Sequence, residues 1–497
     1  MGAVMHFPAE QLLNLYRLAP EVVLCVFGML IMVLDPLVEA ANKQVLGWLG
    51  FAGALAALAA VRLMANDPGP AYSRLIVADP FSIFVHVVTI GAAALAILGS
   101  LNYLDSEGIQ RGEYYSLVLF ATAGMGILAG ANELVTAFIG LEMSSISTYI
   151  LAGFRRRALE SNEASLKYFL LGSFATAFFL YGIAMVYGAA GSTKIDDVQA
   201  FLESWQAANG TPSALAMLGL GLMFVGLGFK VVAAPFQIYA PDVYQGAPSP
   251  VTALLASAPK AATFAVMLRI FCVAFGGSAH YWFWAIAVSA VLTMFIGNLA
   301  ALVQTNVKRM LAYSSIAHAG YILVALAAST SAGVAAVLFY LAAYVLMKVG
   351  AFLVVTHLGQ QGEKRLEIRD YAGLGMKQPL LAASFSLFLL SLLGLPATGG
   401  FLGKFFAFQA ALYLRDPRFV WLVVIAALNS VIGAYYYLRV IIVMYFSEPS
   451  GDYVQTAVAP ALSLALVLAA AGTLYLGLFP ARVLILAKAA ADSLSLR

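Results

Sequence analysis

The sequence predicts an all-α integral membrane protein with about 14 transmembrane helices, arranged as two inverted five-helix repeats that each contain a broken helix. Of its 497 residues, 62% are hydrophobic and 10% are charged, whereas soluble domains are about 45 to 50% apolar and about 25% charged. Apolar segments recur along the whole chain, and two of them are interrupted by proline and glycine. No polar stretch exceeds about 20 residues, which is too short for a soluble domain of about 50 or more. The chain is therefore expected to form one domain in the bilayer.

The predicted spans are windows of about 20 predominantly apolar residues, the length that crosses a bilayer as a helix. The N-terminus lacks both a basic segment before the first span and a small-residue cleavage site, so this span is expected to be retained rather than removed as a signal peptide. In chain order the spans lie near 18–34, 45–65, 79–103, 113–130, 131–153, 163–190, 213–239, 249–276, 281–303, 308–328, 332–357, 379–413, 418–446 and 458–480.

The seventh and twelfth spans carry the same kind of interruption. In the seventh, Lys230 precedes Pro235, and in the twelfth, Pro396 and two glycines precede Lys404. Paired interruptions at corresponding positions indicate inverted repeats with the site at each break. The predicted units are the first three helices (1–112), a first five-helix repeat (113–278), a second five-helix repeat (279–447) and the final helix with the C-terminus (448–497).

The stretch from 223 to 260 has the strongest functional signal, because it sets Lys230 near Pro235 and Lys260 beside Pro259. A lysine at the centre of a membrane helix costs roughly 2.5 to 3.5 kcal/mol on insertion scales. A proline inside a helix leaves a carbonyl one turn earlier without its usual donor. Because non-helical backbone at membrane depth is tolerated only where protein or water surrounds it, these breaks predict a hydrated interior site and ion or proton transfer.

Glu142 lies in the middle of the fifth span, with no basic residue within reach along its own helix. A lone ionised carboxylate there is costly, so Glu142 is expected to be protonated or paired with a cation on another helix. Lys230 is the natural partner by depth. A static ion pair that fixes helix packing is the alternative, and the row of membrane lysines favours transfer.

Four other residues are candidates for the same row. Lys260 lies about 11 residues into its span, roughly 16 Å at 1.5 Å per residue, and is expected to be functional. Lys404 follows the second break and is a candidate exit group. Lys167 opens the sixth span and is either an entry group or a lysine that extends to the surface. His318 lies among hydroxyl residues. It could relay protons, or it could equally be a hydrogen-bonded structural histidine.

Some polar residues in or near the spans carry a weaker signal. Lys348 is buried by its sequence context, but no partner can be assigned to it. Asp242 is predicted to be a loop or cap residue, and His86 lies near a span boundary and indicates no function. Arg269 lies near a predicted helix end and is expected to extend to the membrane surface.

The positive charges of the short loops predict an orientation. Basic clusters follow the fifth, ninth and eleventh spans, whereas the loop after the sixth span is acidic through Asp196 and Asp197. Cytoplasmic loops are enriched in lysine and arginine, so the clusters are expected in the cytoplasm and both termini in the periplasm. The clusters are Arg155, Arg156 and Arg157; Lys308 and Arg309; and Lys364, Arg365, Arg369 and Lys377.

The sequence offers no recognisable cofactor site. Cys25 and Cys272 lie in separate apolar runs, which excludes a disulfide framework and an iron–sulfur ligand set. No Walker, dinucleotide or HExxH motif is present. The net charge of +3 does not indicate nucleic-acid binding. The chain is therefore expected to hold no cofactor and no metal, and to have lipid as a partner rather than nucleic acid.

Three segments, GFKVVAAPFQIYAPDVYQGAPSPV, QTNVKRMLAYSSIAHAGY and GLPATGGFLGKFFAF, resemble the antiporter-like membrane subunits of bacterial respiratory complex I, the proton-translocating NADH:quinone oxidoreductase. The similarity extends from about the fourth to the thirteenth predicted span, and DVYQGAPSPV is its most discriminating part. It implies a 14-helix fold with two inverted five-helix bundles and two broken helices, in agreement with the spans.

The resemblance also implies roles for individual residues. Glu142 in GLEMSS matches the essential glutamate of the family, and Lys230 in GFKVVAAP matches its partner on the broken helix. Lys260 in APKAA matches the central lysine, and Lys404 in FLGKF matches the exit lysine. Two further matches are Lys167 in EASLKY and His318 on the central polar axis.

The function implied is proton translocation within a hetero-oligomeric complex in the bacterial inner membrane. Flavin, iron–sulfur clusters and quinone are then expected in partner subunits, and no redox centre in this chain. One alternative is a subunit of a Mrp-type sodium/proton antiporter, a related fold. Another is a structural membrane scaffold with static ion pairs. Co-purification with flavin and iron–sulfur subunits, or sodium-dependent exchange without redox activity, would separate the first two.

Overall fold

The computed structural model describes residues 9–39, 42–359, 361–448 and 457–494. Nearly all of this chain is helical, and two short strands, β1 (Gly69–Ala71) and β2 (Ile76–Ala78), pair antiparallel with Gly69 opposite Ala78. The helices are α1 (Ala9–Arg17), α2 (Ala19–Leu34), α3 (Gln44–Asn66), α4 (Pro80–Ser106), α5 (Gly112–Gly130), α6 (Leu134–Ala152), α7 (Leu159–Ala190), α8 (Ile195–Asn209), α9 (Ala214–Val231), α10 (Ala240–Gly246), α11 (Ser249–Leu255), α12 (Ala258–Met267), α13 (Ala279–Leu302), α14 (Val307–Ala327), α15 (Ser331–Leu358), α16 (Leu374–Lys377), α17 (Pro379–Leu393), α18 (Gly399–Leu412), α19 (Pro417–Phe446), α20 (Pro460–Leu478) and α21 (Ala481–Asp492).

Each predicted span coincides with one of these helices or with a broken pair. Within the described residues, twelve helical segments are long and apolar enough to cross a membrane. The two other predicted spans are α5, which has 19 residues, and the pair formed by α17 and α18. The predicted fold class, an all-α membrane protein with broken helices in the seventh and twelfth spans, is confirmed.

The helix breaks lie at the predicted prolines. Helix α9 ends at Val231, and five residues, which include Pro235, separate it from the 3₁₀ turn that leads into α10. Helices α11 and α12 are separated by two residues, with Pro259 in the first turn of α12. The Leu255 carbonyl at this break accepts a hydrogen bond from the Tyr244 hydroxyl at 3.2 Å. Pro396 lies in the turn between α17 and α18. Each span therefore changes to irregular backbone inside the protein.

Several short elements outside the spans were not predicted. Helix α8 occupies the acidic loop after the sixth span and buries Ile195, Val198 and Leu202. These residues follow helical spacing and form one apolar face. Helices α1, α8 and α21 are each shorter than a membrane span, which is why a search for apolar windows does not find them.

The two ends of α4 provide reference points for the two sides of the helix bundle. At its start, Asp79 pairs with Arg269 at 2.8 Å, and near its end, Tyr103 donates to Glu363, which also pairs with Arg155. We call these the Arg269 side and the Arg155 side. The chain termini lie outside the described residues, so their periplasmic placement stays a prediction.

Arg269 differs from its prediction. It is buried rather than extended to the membrane surface, and its Nε also donates to the Ala129 carbonyl at 3.2 Å. The carboxylate of Asp79 comes from a helix start 190 residues earlier, so no local pattern shows this partner.

Glycine allows close packing between α7 and α9. A Cβ atom at Gly182 would lie 2.6 Å from the Gly219 carbonyl oxygen, and one at Gly219 would lie 2.8 Å from the Gly182 carbonyl oxygen. Small residues at such crossings let two membrane helices approach until their backbones touch. This contact holds the helix that carries Lys230 against its neighbour.

We expect Gly219→Ala to destabilise the protein by about 1 to 3 kcal/mol, the usual effect of adding a methyl group to a filled interface. Gly221→Ala is the matched control, because it lies on the same helix and a Cβ atom there has nothing within 4 Å. The measurement is the thermal unfolding midpoint of the purified protein in detergent. Equal midpoints for the two variants would contradict the packing described for α7 and α9.

Candidate functional site

The first helix break surrounds Lys230 with aromatic rings. This buried lysine lies in the last turn of α9, and its Nζ donates to the Tyr168 hydroxyl at 3.0 Å. Nζ also lies 4.8 Å from the Tyr168 ring centroid and 5.1 Å from that of Tyr149. Tyr239, which follows the break, stacks on Tyr168 with centroids 5.3 Å apart and donates to the Phe229 carbonyl. The break thus supplies both the lysine and one wall of its pocket.

Glu142 does not form the expected ion pair with Lys230. No lysine or arginine nitrogen of the described residues lies within the 4.0 Å ion-pair distance of its carboxylate. Its Oε1 is buried without a hydrogen-bond partner, as are Ser144 Oγ and the Tyr149 hydroxyl on the same helix, α6. Buried polar atoms are nearly always hydrogen-bonded. Glu142 and Tyr149 are seven residues apart and share a face of α6, whereas Ser144 lies on another face. Glu142 Oε1 and the Tyr149 hydroxyl therefore mark a place where water or a moving side chain would bind.

Lys260 is held by a serine on α14. Its Nζ donates to the Ser315 carbonyl at 2.9 Å and also to Ser315 Oγ. That hydroxyl lies 2.6 Å from the Tyr344 hydroxyl on α15. Lys260 is buried, as its position in the span predicts, and its polar contacts lead into the second half of the chain.

Lys348 has the partners that could not be assigned from the sequence. It is fully buried in α15, and its Nζ donates to the Leu311 carbonyl at 2.6 Å and to Ser314 Oγ at 3.0 Å. Ser314 Oγ is in turn hydrogen-bonded to the Tyr437 hydroxyl. Both partners of Lys348 lie on another helix, α14, and the chain gives no local sign of them. The only available signal was the lysine itself within an apolar span.

His318 continues this chain of polar groups. Its Nε2 lies 3.2 Å from the Tyr437 hydroxyl, and its Nδ1 lies 2.8 Å from the Tyr340 hydroxyl. Hydrogen bonds therefore connect Lys348 through Ser314 and Tyr437 to His318. Hydroxyl groups can donate and accept at the same time, so such a chain can reorient as a proton passes.

Lys404 is bound to the end of the preceding half-helix. Its Nζ donates to the Leu392 carbonyl at 3.2 Å, to the Leu393 carbonyl at 2.9 Å and to Ser430 Oγ at 2.8 Å. The last carbonyls of a helix have no partner within the helix and carry its partial negative charge. Nζ also lies 4.8 Å from the ring centroid of Tyr321. The second break thus supplies the acceptors for Lys404.

Lys167 lies near the surface in an ion-pair cluster. Its side chain is 40% exposed, and Nζ lies 2.6 Å from Glu163 and 2.7 Å from Asp242. Asp242 also pairs with Arg309 at 2.7 Å. Asp242 was predicted to be a loop or cap residue, but it lies inside the first turn of α10, whose N-cap is Tyr239, and its carboxylate joins α7 to α14. This role depends on residues more than 60 positions away.

A second polar cluster, which we call the Glu363 cluster, lies on the Arg155 side. The buried Glu363 follows α15 and accepts hydrogen bonds from the Tyr103 hydroxyl at 2.8 Å, the Ser249 N–H at 2.7 Å and Lys308 Nζ at 2.8 Å. Arg155 lies 3.5 Å from it. The cluster therefore joins α4, the start of α11, the loop after α6 and the start of α14.

The charges of this cluster compensate for its burial. Burial raises the pKa of the Glu363 carboxyl, but the Lys308 ammonium group and the three hydrogen bonds more than offset that effect, so the pKa lies below its ordinary value. Glu363 stands in a polar loop of the sequence, and nothing in that loop distinguishes it from its charged neighbours. It was therefore not predicted as a site residue.

The site consists of titratable side chains and hydroxyl groups. Within the described residues, no group of three or more histidine, cysteine, aspartate or glutamate side chains is arranged to hold a metal ion. The structure connects Lys348 to His318 by hydrogen bonds and places Lys260 against α14, the helix that carries His318. Lys230 contacts tyrosines instead of Glu142.

The sequence of this chain is similar to those of known membrane subunits. Residues 131–433 match the family described as NADH:quinone oxidoreductase/Mrp antiporter, TM. NADH-quinone oxidoreductase subunit N 1 of Solibacter usitatus is 49% identical over 98% of this chain and 99% of its own length. Subunit N of Trichlorobacter lovleyi is 44% identical over 95% of this chain and 96% of its own length.

Solved structures agree with these matches. A chain of respiratory complex I from Thermus thermophilus superposes with a TM-score of 0.79 at 35% identity, covering 94% of this chain and 99% of that chain. A chain of the Mrp complex from Dietzia sp. DQ12-45-1b superposes with a TM-score of 0.81 at 22% identity, covering 96% of this chain and 97% of that chain. The second match is evidence of a shared fold alone.

Proposed function

This chain belongs to the NADH-quinone oxidoreductase subunit N family, and on that premise we propose that it is a proton-translocating membrane subunit of respiratory complex I. It works as a multi-pass protein in the bacterial inner membrane, among other membrane subunits of the complex. NADH oxidation and quinone reduction take place in partner subunits, which hold the flavin and the iron–sulfur clusters. This chain contributes the path for protons.

The observation that carries this proposal is the set of partners of the buried lysines. Lys230, Lys260, Lys348 and Lys404 bind hydroxyl groups and carbonyls, and among the described residues none has a carboxylate within 4.0 Å. A carboxylate would hold each lysine in its charged form, whereas hydroxyls can donate to a neutral amine or accept from an ammonium group. A row of this kind suits proton transfer better than a scaffold of static ion pairs.

The proposed path follows the order of the groups. Protons load from the Arg155 side, which we propose faces the cytoplasm because the basic clusters lie there. They reach Lys230 and Lys260, continue through Lys348 and His318, and leave through Lys404. Glu142 and Lys230 receive the electrostatic and conformational changes of neighbouring subunits, and Lys167 is an entry group. The two repeats divide near residues 278 and 279.

The assembled complex with Lys230→Ala or Glu142→Gln tests this proposal. We expect fewer protons to be translocated per electron in both variants, because each loses a group that changes charge during transfer. The measurements are NADH oxidation and proton uptake in proteoliposomes. Lys488→Ala is the control, since Lys488 is exposed on α21. Unchanged oxidation and unchanged stoichiometry in both test variants would exclude the assignment.

A Mrp-type sodium/proton antiporter subunit is the second candidate, because the matching family covers both kinds of protein. It predicts sodium-dependent proton exchange by a complex that contains no redox subunits. The scaffold alternative predicts that Glu142→Gln impairs assembly while the complex that does assemble translocates protons normally.

A further inference from the structure

A buried carboxyl–imidazole pair lies outside the lysine row. Glu21 Oε1 on α2 lies 2.7 Å from His86 Nε2 on α4, and both side chains are buried. His86 Nδ1 lies 2.6 Å from the Ser82 carbonyl oxygen. Ionisable residues inside a membrane protein are rare and are candidates for function by default.

The hydrogen-bond geometry determines how many protons this pair holds. The Ser82 carbonyl can only accept, so His86 Nδ1 must carry a proton. The contact between Nε2 and Oε1 then contains one proton, either on a neutral carboxyl group that donates to imidazole or on an imidazolium that donates to carboxylate. Without that proton, two lone pairs would face each other at 2.7 Å with a buried negative charge.

Two observations distinguish this pair from a static ion pair. Glu21 Oε2 is buried and has no hydrogen-bond partner, whereas the buried pair of Glu363 and Lys308 is saturated by further donors. The pair is also enclosed closely by α5. A Cβ atom at Gly126 would lie 2.8 Å from both Glu21 Oε1 and His86 Nε2, so only glycine leaves room for the contact at that position.

The pair lies near a polar opening on the Arg269 side. His86 is seven residues after Asp79, roughly 10 Å along α4, and Asp79 pairs with Arg269. Asp79 and Arg269 line a cavity of about 350 Å³ together with Arg74, Asn132 and Asp196. The charged or titratable groups closest to the pair are Asp79 on α4, Cys25 on α2 and, through Asp79, Arg269.

From this geometry we infer that Glu21 and His86 form a second proton-binding site, separate from the lysine row, which holds one proton between Oε1 and Nε2 and exchanges it with water on the Arg269 side. None of its residues lies on α9, α12, α14 or α15, which carry Lys230, Lys260, His318 and Lys348. The site joins α2 to α4 when the proton is bound. Loss of the proton separates the two groups and loosens that connection.

The test is a pH titration of the purified complex by infrared difference spectroscopy, from about pH 5 to about pH 9, which brackets carboxyl and imidazole groups. Glu21→Gln keeps the contact, because its amide can donate to Nε2, but removes the shared proton. We expect this variant to lose one carboxyl signal and one imidazole signal that titrate together in the unmodified complex. Glu113→Gln, at a glutamate whose side chain is 44% exposed, is the control and should leave that pair of signals unchanged.

Two outcomes overturn the inference. One is a titration of Glu21→Gln that superposes on that of the unmodified complex, which would make the pair a static contact. If the variant does not assemble, the unmodified complex with ring-labelled histidine provides the second measurement. There, the absence of an imidazole signal that titrates together with a carboxyl signal excludes the site. Neither outcome depends on whether the lysine row translocates protons.

Discussion

A complex that carries Lys260→Ala is expected to lose proton transfer through this chain, with a fall in rate of about 10²-fold or more, the typical contribution of a proton-transfer group. Lys260 lies at the centre of the row, and its Nζ joins Ser315 to α12. Alanine removes the amine that binds Ser315, which keeps Tyr344 as a partner of its hydroxyl, and leaves a gap in the path. Proton uptake by proteoliposomes after NADH addition measures the loss.

The variant Lys260→Arg distinguishes a role of Lys260 in proton transfer from a role of its positive charge alone. Arginine keeps the positive charge, but it does not release a proton at accessible pH. If Lys260 donates and accepts protons, the arginine variant fails as the alanine variant does. Restoration of normal proton uptake by arginine would show that only the charge matters, and would contradict the role assigned to Lys260.

Glu363→Ala is expected to destabilise the protein by about 3 to 5 kcal/mol, the usual effect of removing one partner from a buried ion pair. Lys308 is fully buried and would keep the Ala247 carbonyl as a partner, at 2.6 Å, but no carboxylate. The donors from Tyr103 and Ser249 would also lose their acceptor. The measurements are the yield of assembled complex and the temperature of half-inactivation.

Two comparisons make this prediction specific. Glu113→Ala removes a half-buried partner of the exposed Arg156, at 3.5 Å, and should cost no more than about 1 kcal/mol. The double variant Glu363→Ala with Lys308→Met removes the stranded ammonium group and should recover part of the loss. A yield and half-inactivation temperature for Glu363→Ala equal to those of Glu113→Ala would contradict the role of the cluster.

The carboxyl group of Glu363 also determines how the stability of the protein changes with pH. Its pKa is lower in the folded protein than its ordinary value, so its contribution to stability is present at neutral pH. That contribution is lost as the pH falls below the ordinary range of glutamate towards the folded-state pKa. Glu363→Ala should therefore weaken the loss of stability on acidification.

The spans, the breaks and the buried lysines could be predicted because each depends on a local property of the sequence. A bilayer sets the length of an apolar helix, and a proline interrupts it whatever its neighbours are. A lysine in an apolar run is unusual wherever it occurs, so Lys260 and Lys404 were recognisable without a partner.

The partners could not be predicted because they come from distant segments. Depth alone suggested Glu142 for Lys230, but the structure places Tyr168 there, 62 residues away in the chain. The carboxylate partner of Arg269 and the acceptors of Lys348 come from other helices in the same way. His86 showed no signal because the carboxylate that pairs with it lies 65 residues earlier.

At the two breaks, helices α9 and α17 each end with a partial negative charge near a buried lysine. Lys230 lies in the last turn of α9, and Lys404 reaches from α18 back to the last carbonyls of α17. The C-terminal end of a helix behaves as roughly half a negative charge, and this charge moves with the backbone. A small sliding of α17 against α18 would therefore change how firmly the Lys404 amine is held, even if no side chain changed rotamer. In the proposed path, displacement of α17 alone would then change when Lys404 captures and releases a proton.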